Sequence, residues 1–193
     1  MNSTAPSKKE QSHQRIVAAA ARAMRRSGFK GVSVAEVMKE AGLTHGGFYA
    51  HFASRDALLA EALSHASRDS STLIMNHVGK QADAGGERFR AYVNAYLSDT
   101  QIEACENGCP VAALCSEMRG QAPEVMASSR EAIHSLQQLV RQVLPAHHDE
   151  QASWVVAATL SGALQMARVM GNTPQGRALL ASTRAELLAR YAD

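Results

Sequence analysis

Residues 33–63 decide the fold, and they read SVAEVMKEAGLTHGGFYAHFASRDALLAEAL. Two adjacent glycines, Gly46 and Gly47, are followed within five positions by three aromatic side chains and a histidine. Each glycine costs about 1 kcal/mol relative to alanine in a helix interior, so a short helix tolerates two of them only with tertiary packing. Phe48 and Phe52, four residues apart, would supply that packing. We therefore predict a short helix from His45 to about His51 whose backbone is approached closely by another molecule.

The residues before the glycines predict a second short helix and a tight turn. Ser33 followed by Glu36 has the spacing of a capping box, which would start a helix over residues 34–40. Gly42 stands where such a helix ends, and Thr44 is a preferred N-cap for the next one. The sequence thus predicts two short helices joined by a turn of three residues.

A longer amphipathic helix from Gln11 to about Ser27 precedes this pair, which completes the form of a helix-turn-helix. The second short helix of that motif lies in the DNA major groove, so Gly46 and Gly47 would let its backbone come close to the duplex. Tyr49 and His51 project elsewhere, and both side chains can donate a hydrogen bond to a phosphate oxygen. The motif predicts DNA binding.

Composition places the chain among globular proteins. It has 193 residues, of which 46% are hydrophobic and 20% charged. The first ten residues, MNSTAPSKKE, are polar, and no stretch approaches the roughly 18 apolar residues of a membrane span. Three cysteines are too few for a secreted disulfide framework. We expect a cytoplasmic protein with no membrane partner.

The formal net charge of +2 conceals an asymmetry. Residues 1–60 carry nine Lys or Arg against four Asp or Glu, a net +5, and the remainder carries eleven against fourteen, a net −3. A basic first third favours contact with a polyanion. The alternative is a chance excess of positive charge on solvent-exposed side chains. We interpret Arg25, Arg26 and Lys30 as such a run of solvated charges.

The stretch at 33–63 resembles the DNA-binding signature of the TetR/AcrR family of bacterial transcriptional regulators. The shared features are the capped helix, the Ala-Gly-Leu turn, Phe-Tyr-x-His-Phe and Ser-Arg-Asp-x-Leu-Leu, and the match extends back to about Gln14. The resemblance implies phosphate contacts from Ser33, Thr44, Tyr49, His51 and Arg55. It implies that the side facing the bases consists of His45, Gly46, Gly47 and Ala50. Many members have threonine at the position of Gly47, so the operator cannot be inferred from relatives.

Helical periodicity continues beyond residue 65. We predict that the helix opened by Ser54 and Asp56 reaches about Val78, with a break over residues 82–87. Further helices are predicted over residues 89–97 and 111–118, from Pro123 to before Pro145, from Asp149 to Gly171, and from Thr173 to Tyr191.

The resemblance also implies what the later helices do. The two long helices, within residues 123–171, would pair with those of a second subunit as a four-helix bundle, and the helices before them would enclose a ligand pocket. Periodicity alone leaves an intrachain core as the alternative. For the pocket, we predict a small apolar or aromatic effector near Tyr92, Tyr96 and Trp154.

The segment CENGCPVAALC contains all three cysteines, Cys105, Cys109 and Cys115. Cys109 precedes Pro110 at a predicted helix start, where backbone N–H groups favour thiolate over thiol. Cys109, with Cys105 as a possible crosslinking partner, is therefore a candidate sensor of oxidants or electrophiles. Three small, partly buried thiols without such a role are the alternative. The C-x3-C-x5-C spacing lacks the close ligand pairing of zinc sites, so no metal or other cofactor is predicted.

Taken together, the sequence predicts an all-α protein in three parts: a flexible basic tail at 1–10, a helix-turn-helix domain at 11–55, and a helical regulatory and dimerisation domain at 56–193. We predict a homodimeric repressor released from a palindromic double-stranded DNA operator by a small molecule or a thiol-reactive signal. No catalytic constellation is recognisable. The alternatives are an architectural or cell-cycle DNA-binding protein without a ligand, and a cysteine-dependent enzyme.

Overall fold

A computed structural model describes residues 7–79 and 85–193, and every regular element over these residues is a helix. The all-α prediction is confirmed. The elements in chain order are α1 (Lys8–Ser27), α2 (Val34–Glu40), a 3₁₀ helix (His45–Ala50), α3 (Arg55–Gly79), α4 (Gly85–Tyr96), α5 (Thr100–Glu103), α6 (Pro110–Met118), α7 (Pro123–Val143), α8 (Glu150–Met170) and α9 (Pro174–Tyr191).

Helix α1 begins earlier than predicted. The Ser7 hydroxyl accepts a hydrogen bond from the Glu10 N–H at 3.2 Å, and the Glu10 carboxylate accepts one from the Ser7 N–H at 2.8 Å. This reciprocal capping box starts the helix at Lys8. The predicted tail at 1–10 is therefore wrong for residues 8–10, and residues 1–6 lie outside the described part of the chain.

The helix-turn-helix forms with two local differences from prediction. The Ser33 hydroxyl accepts a hydrogen bond from the Glu36 N–H at 3.4 Å, but the predicted return bond from the Glu36 side chain is not formed. The helix at His45–Ala50 is 3₁₀, with the Gly47 N–H donating to the Thr44 carbonyl at 3.1 Å. Thr44 occupies the N-cap position but makes no side-chain capping bond. A short segment weakened by two glycines takes the tighter helix that proteins use in short pieces.

Helix α3 connects the helix-turn-helix to the rest of the chain. The Ser54 hydroxyl caps its start by accepting from the Ala57 N–H at 2.9 Å. Its first half packs on α1 through Leu58, Leu59, Ala62 and Leu63, which are fully buried, and α7 packs against the same helix. A continuous core therefore runs from the helix-turn-helix into the C-terminal helices.

The C-terminal helices follow the predicted boundaries closely. Helix α8 packs against both α7 and α9. The predicted break at 82–87 lies outside the described residues at 82–84 and is wrong at 85–87, because α4 already begins at Gly85. The single-turn helix α5 was not predicted, because four residues are too few to show periodicity. None of the described helices is long and apolar enough to cross a membrane.

Candidate DNA interface and internal cavity

The 3₁₀ helix exposes the residues assigned to base contact. His45, Gly46 and Ala50 are exposed, and Gly47 is half-buried. A Cβ atom added at Gly46 would meet no atom within 4 Å, and one at Gly47 would make an ordinary contact of 3.7 Å with Met38. Neither glycine has a positive φ angle. The fold thus gives no steric or conformational reason for glycine at either position.

The aromatic residues of this helix divide as predicted between core and surface. Phe48 and Phe52 are buried, and their stacked rings lie 5.6 Å apart between centroids. Tyr49 leaves 78% of its surface exposed, beside the exposed glycine. The two phenylalanines therefore anchor the 3₁₀ helix, and Tyr49 extends from it into solvent.

His51 is less free than the sequence suggested. It is half-buried, and its Nδ1 atom is buried with no hydrogen-bond partner among the described residues. Its ring centroid lies 6.0 Å from that of His13. Burial lowers the pKa of His51, and nearby His13 and Lys9 lower it further. The imidazole is therefore neutral at pH 7, so a phosphate contact from it would be a hydrogen bond between a neutral donor and the anion.

Arg55 is bound within the fold. Its guanidinium donates to the carbonyl oxygen of Val32, from Nε at 3.2 Å and from Nη2 at 3.1 Å, and Nη2 also donates to the carbonyl of Phe29. These bonds attach the start of α3 to the loop between α1 and α2. Arg55 therefore stabilises that loop, which is a role that the sequence did not suggest.

Arg25 contradicts its interpretation as a solvated charge. It is only 5% exposed, and its Nη1 atom lies 3.4 Å from the carbonyl oxygens of both Ala66 and Gly108. Its Nη2 atom lies 3.7 Å from a carboxylate oxygen of Asp69. Burial lowers the pKa of Arg25, and Asp69 opposes that shift. Arg25 thus joins the end of α1 to α3 and to the loop before α6.

The neighbouring Arg26 behaves as the sequence predicted. Its side chain is half exposed and pairs with Glu106, with 2.5 Å between Nη1 and a carboxylate oxygen. Arg25 lies four residues after Ala21, which is one helical turn along the buried face of α1. This spacing was the signal in the sequence that distinguishes buried Arg25 from exposed Arg26.

A second contact joins α6 to the loop after α1. The Phe29 N–H donates to a Glu117 carboxylate oxygen at 3.0 Å. Gly28 has a φ angle of 72°, and a Cβ atom there would lie 2.4 Å from the other Glu117 oxygen. Glycine is favoured at position 28 by its positive φ angle, and any side chain there would also displace the Glu117 carboxylate. We call the contacts of Arg25, Arg26 and Gly28–Phe29 with the 106–117 region the interdomain seam.

A cavity of about 590 Å³, partly open to solvent, lies on the other side of this seam. Helices α3 to α8 and the loop before α6 supply its walls. Gly108, whose carbonyl faces Arg25, and Cys109 are both lining residues. The cavity wall and the seam therefore share the same short segment of chain.

Two of the three predicted ligand-binding residues line this cavity. Tyr92 and Tyr96 are buried lining residues whose ring centroids are 6.0 Å apart. Burial raises the pKa of both phenols well above the ordinary value, and neighbouring Cys109 raises it further. Trp154 is not among the lining residues. It stacks edge-on against His134 at 5.4 Å, so the structure does not bring it together with the tyrosines.

The cysteines occupy three different environments, and all three are free thiols. Cys109 is the N-cap residue of α6, before Pro110, as the sequence predicted. Cys105 is half-buried, with its sulfur 3.7 Å from the Ile102 carbonyl oxygen, whereas Cys115 is exposed. Within the described residues, no group of three or more His, Cys, Asp or Glu side chains could hold a metal ion.

Comparison with known proteins assigns the family. Residues 16–62, which contain the helix-turn-helix, match the family model described as bacterial regulatory proteins, tetR family. Residues 86–175, which contain most of the cavity wall, match a second model, described as the C-terminal domain of LmrA/YxaF-like transcriptional regulators. The chain belongs to the TetR family. It is a DNA-binding transcriptional regulator.

Individual relatives of this TetR-family chain are distant in sequence. An uncharacterized HTH-type transcriptional regulator of Mycobacterium tuberculosis is 25% identical over 167 residues, which is 81% of this chain and 84% of that protein. A TetR-family regulator from Cytophaga hutchinsonii is 18% identical in sequence, with a TM-score of 0.80 over 96% of each chain. The reduced form of Escherichia coli NemR is 17% identical, with a TM-score of 0.78 over 93% of this chain and 96% of that one. The two solved structures support the fold.

Proposed function

We propose that this TetR-family chain is a dimeric repressor that leaves a palindromic operator when its internal cavity is occupied or its cavity-wall thiol reacts. The observation that carries the proposal is the exposed 3₁₀ helix, where two glycines stand without any internal steric reason. Because glycine has no side chain, it allows a protein backbone to approach a DNA duplex closely.

The proposed DNA contacts divide into two groups. His45, Gly46, Gly47 and Ala50 would face base edges, because they lie on the exposed side of the 3₁₀ helix. Phosphates would be contacted by Ser33, Thr44, Tyr49 and His51. Tyr49 leaves 78% of its surface exposed. Arg55 would act indirectly, because its guanidinium already holds the carbonyls of the α1–α2 loop.

Helix α8 would supply much of the dimer interface. Val155, Met166 and Val169 are large apolar residues exposed on this helix, and their spacing of eleven and three residues places them on one face. Unpaired apolar stripes of this kind mark protein interfaces. A dimer would place its two 3₁₀ helices so that they enter successive major grooves of the duplex, which are about 34–36 Å apart.

The interdomain seam would carry the signal. Gly108 belongs both to the cavity wall and to the contact with Arg25 at the end of α1. Helix α6 begins at the cavity wall and holds the α1–α2 loop near its other end through Glu117. A ligand that displaces this segment would shift the helix-turn-helix. A small change in the distance between the two helix-turn-helix units of a dimer would prevent both from binding DNA at once, so the gain in affinity from the second contact would be lost.

Replacing Gly46 with alanine tests the DNA-binding role of the 3₁₀ helix. The fold has room for the added methyl group, so the free energy of unfolding should stay the same or rise by up to about 1 kcal/mol. The same methyl group would occupy the space between backbone and duplex, and we expect the affinity for DNA to fall at least about tenfold, or 1.4 kcal/mol. Fluorescence anisotropy with a duplex selected from random sequence by the wild-type protein measures this affinity.

Gly79→Ala is the matched control, because a Cβ atom there also meets nothing within 4 Å and the residue ends α3. It should bind the selected duplex with wild-type affinity. If Gly46→Ala bound as tightly as Gly79→Ala, the proposed approach of the 3₁₀ helix to the bases would be wrong.

The second route of signalling uses Cys109. A peroxide would oxidise its thiolate to a sulfenic acid and release water or alcohol, and the thiol of Cys105 could then displace water to form a disulfide. The position of Cys109 at the start of α6 and in the cavity wall supports this route.

Cys109→Ser tests the thiol route. Mild peroxide should release wild-type protein from the selected duplex and leave the Cys109→Ser variant bound, because Cys109 lies in the cavity wall next to Gly108, whose carbonyl oxygen contacts Arg25. Cys115→Ser, which changes an exposed thiol that does not line the cavity, should respond like wild type. Release of Cys109→Ser at the wild-type peroxide dose would eliminate this route and leave occupancy of the cavity as the signal.

A further inference from the structure

The donor cluster, which we define as the side chains of Tyr92, Tyr96 and Arg168, lies where Gly108 and Cys109 form the cavity wall. Tyr92 and Tyr96 line the cavity and are 0% and 5% exposed. Arg168 belongs to α8, and its Nη1 and Nη2 atoms are buried. Neither phenol hydroxyl and neither of these two nitrogens has a hydrogen-bond partner among the residues that the structure describes. Buried donors without partners cost free energy, so this part of the cavity favours a ligand that supplies acceptors.

The guanidinium of Arg168 has one edge available for an anion. Its Nε atom donates to the Gln101 carbonyl oxygen at 3.1 Å, which fixes the orientation of the group. The Nη1 and Nη2 atoms form the remaining edge, and that pair of nitrogens can hold both oxygens of a carboxylate. No carboxylate of the described residues bonds to either atom. Because a buried cation is costly without an anion beside it, an anionic ligand would stabilise this arrangement.

The wall between Arg168 and the cavity is thin because residue 108 is glycine. A Cβ atom at Gly108 would lie 2.6 Å from Nη2 of Arg168 and 3.1 Å from the Ala104 carbonyl oxygen, and Gly108 itself lines the cavity. The φ angle of Gly108 is not positive, so the reason for glycine there is steric. The charge of Arg168 would attract an anion across this thin wall, because partly buried pairs are screened much less than exposed ones. A ligand that moved Gly108 aside would contact Nη2 directly.

The two phenols stay protonated and therefore remain donors. Burial raises the pKa of both Tyr92 and Tyr96, and Cys109 raises it further, whereas Arg168 opposes the shift in the pKa of Tyr96. Arg168 is thus within electrostatic reach of a hydroxyl that lines the cavity. The Cys109 sulfur lies near the Tyr96 hydroxyl, but sulfur is a weak acceptor. An oxyanion would be the stronger acceptor for either phenol.

From this arrangement we infer that the cavity binds organic acids, with a carboxylate or another oxyanion held by the donor cluster and an apolar body against Leu136, Leu139 and Leu164. These three leucines line the same cavity. The inference rests on the proposed function of the cavity as the effector site and specifies the chemistry of that effector. The volume suits a molecule of drug-like size.

Two fluorescent probes of the same shape, 1-pyrenebutyrate and 1-pyrenebutyramide, test the inference on the full chain. Both have a carbonyl oxygen and the same apolar body, but only the carboxylate is an anion at pH 7. Saturation titrations followed by pyrene fluorescence should give the acid a dissociation constant at least about tenfold lower than that of the amide, because hydrogen bonds to a charged acceptor are the stronger ones.

Arg168→Met and Arg184→Met separate the donor cluster from positive charge elsewhere. Arg184 also donates to a backbone carbonyl, that of Leu97, but it pairs with Asp99 at 3.7 Å. Arg168→Met should raise the dissociation constant of the acid at least about tenfold and leave that of the amide within about twofold, whereas Arg184→Met should change neither by more than about twofold. Thermal melting checks that both variants remain folded.

Tyr92→Phe is a second variant that the fold should tolerate, because it removes only a buried hydroxyl without a partner among the described residues. Its melting temperature without ligand should equal or exceed that of wild type. Its dissociation constant for 1-pyrenebutyrate should rise about tenfold, since the carboxylate would lose one hydrogen bond from the donor cluster.

Three results would overturn the inference: no binding of the acid by wild type, equal or tighter binding of the amide, or unchanged binding of the acid in folded Arg168→Met or Tyr92→Phe protein. Release from the selected DNA duplex is measured separately. An acid that binds through the donor cluster without affecting DNA binding would count against the proposed signalling and leave the ligand class intact. An amide that binds more tightly and releases DNA would do the opposite.

Discussion

Replacing Met166 and Val169 together with glutamate should separate the dimer and weaken operator binding by about 10²–10⁴-fold, because each monomer would keep only one DNA contact. Val169 is 86% exposed and Met166 is 55% exposed, although both are large and apolar. Gly162, between Val155 and Met166 on the same face, has no neighbour within 4 Å of an added Cβ atom. This face is therefore open for a second copy of the helix, and two carboxylates buried there would have no partner.

Sedimentation velocity at micromolar concentration would measure the oligomeric state, and anisotropy with the selected duplex would measure affinity. Ala181→Glu with Ala185→Glu is the matched control, since it adds the same charge at exposed positions of α9. The control should remain dimeric. A double variant at Met166 and Val169 that stayed dimeric, or a monomer that kept wild-type operator affinity, would contradict the proposed interface.

Arg25→Met should lower the free energy of unfolding by about 1–3 kcal/mol, because the carbonyls of Ala66 and Gly108 would lose a charged donor in a buried place. Removing the guanidinium also removes its own cost of burial, and its Nε atom has no partner among the described residues. The two hydrogen bonds are also long, at 3.4 Å. These terms keep the expected loss moderate.

Arg26→Met is the control that the sequence itself provides, one residue further on. Its ion pair with Glu106 is half exposed, and such pairs contribute about 0–1 kcal/mol. Urea unfolding of both variants measures the difference. Equal stability of the two variants would mean that Arg25 does not secure the interdomain seam.

The starts of α8 and α9 could be predicted to the residue because their signals are local, whereas the helix predicted over residues 89–97 begins earlier, at Gly85. The Asp149 carboxylate caps α8 by accepting from the Ala152 N–H at 2.8 Å, and the Thr173 hydroxyl caps α9 by accepting from the Gly176 N–H at 3.1 Å. In both cases donor and acceptor are three residues apart. A pattern of that length is visible in a single sequence.

The interdomain seam could not be predicted in the same way. Arg25 meets residues 41 and 83 positions away, and the Glu117–Phe29 bond spans 88 positions. Nothing near either residue in the sequence indicates those partners. Trp154 illustrates the same limit, because an aromatic residue on an amphipathic helix can face the cavity or a neighbouring helix, and here it packs on His134.

The proposed DNA-contact residues stay a prediction that the helix-turn-helix spacing makes for them as a group. The spacing does not predict which of these side chains are free to contact DNA. Arg55 and His51 look equivalent to Tyr49 in the motif, yet Arg55 holds two backbone carbonyls and His51 buries one ring nitrogen. Arg55 is held by the loop between α1 and α2, and His51 lies beside His13 of α1, and both partners are distant in sequence.

Glu117 occupies the space where any other residue at position 28 would place its side chain. The helix-turn-helix domain and the cavity domain therefore depend on each other at this contact, even though each matches its own family model. A hybrid that joins this helix-turn-helix domain to another regulator's cavity domain would need an acceptor at the position of Glu117 and room beside Gly28. A recombination point placed within α3 would leave that requirement unmet, whereas transferring α6 together with the helix-turn-helix domain would preserve it.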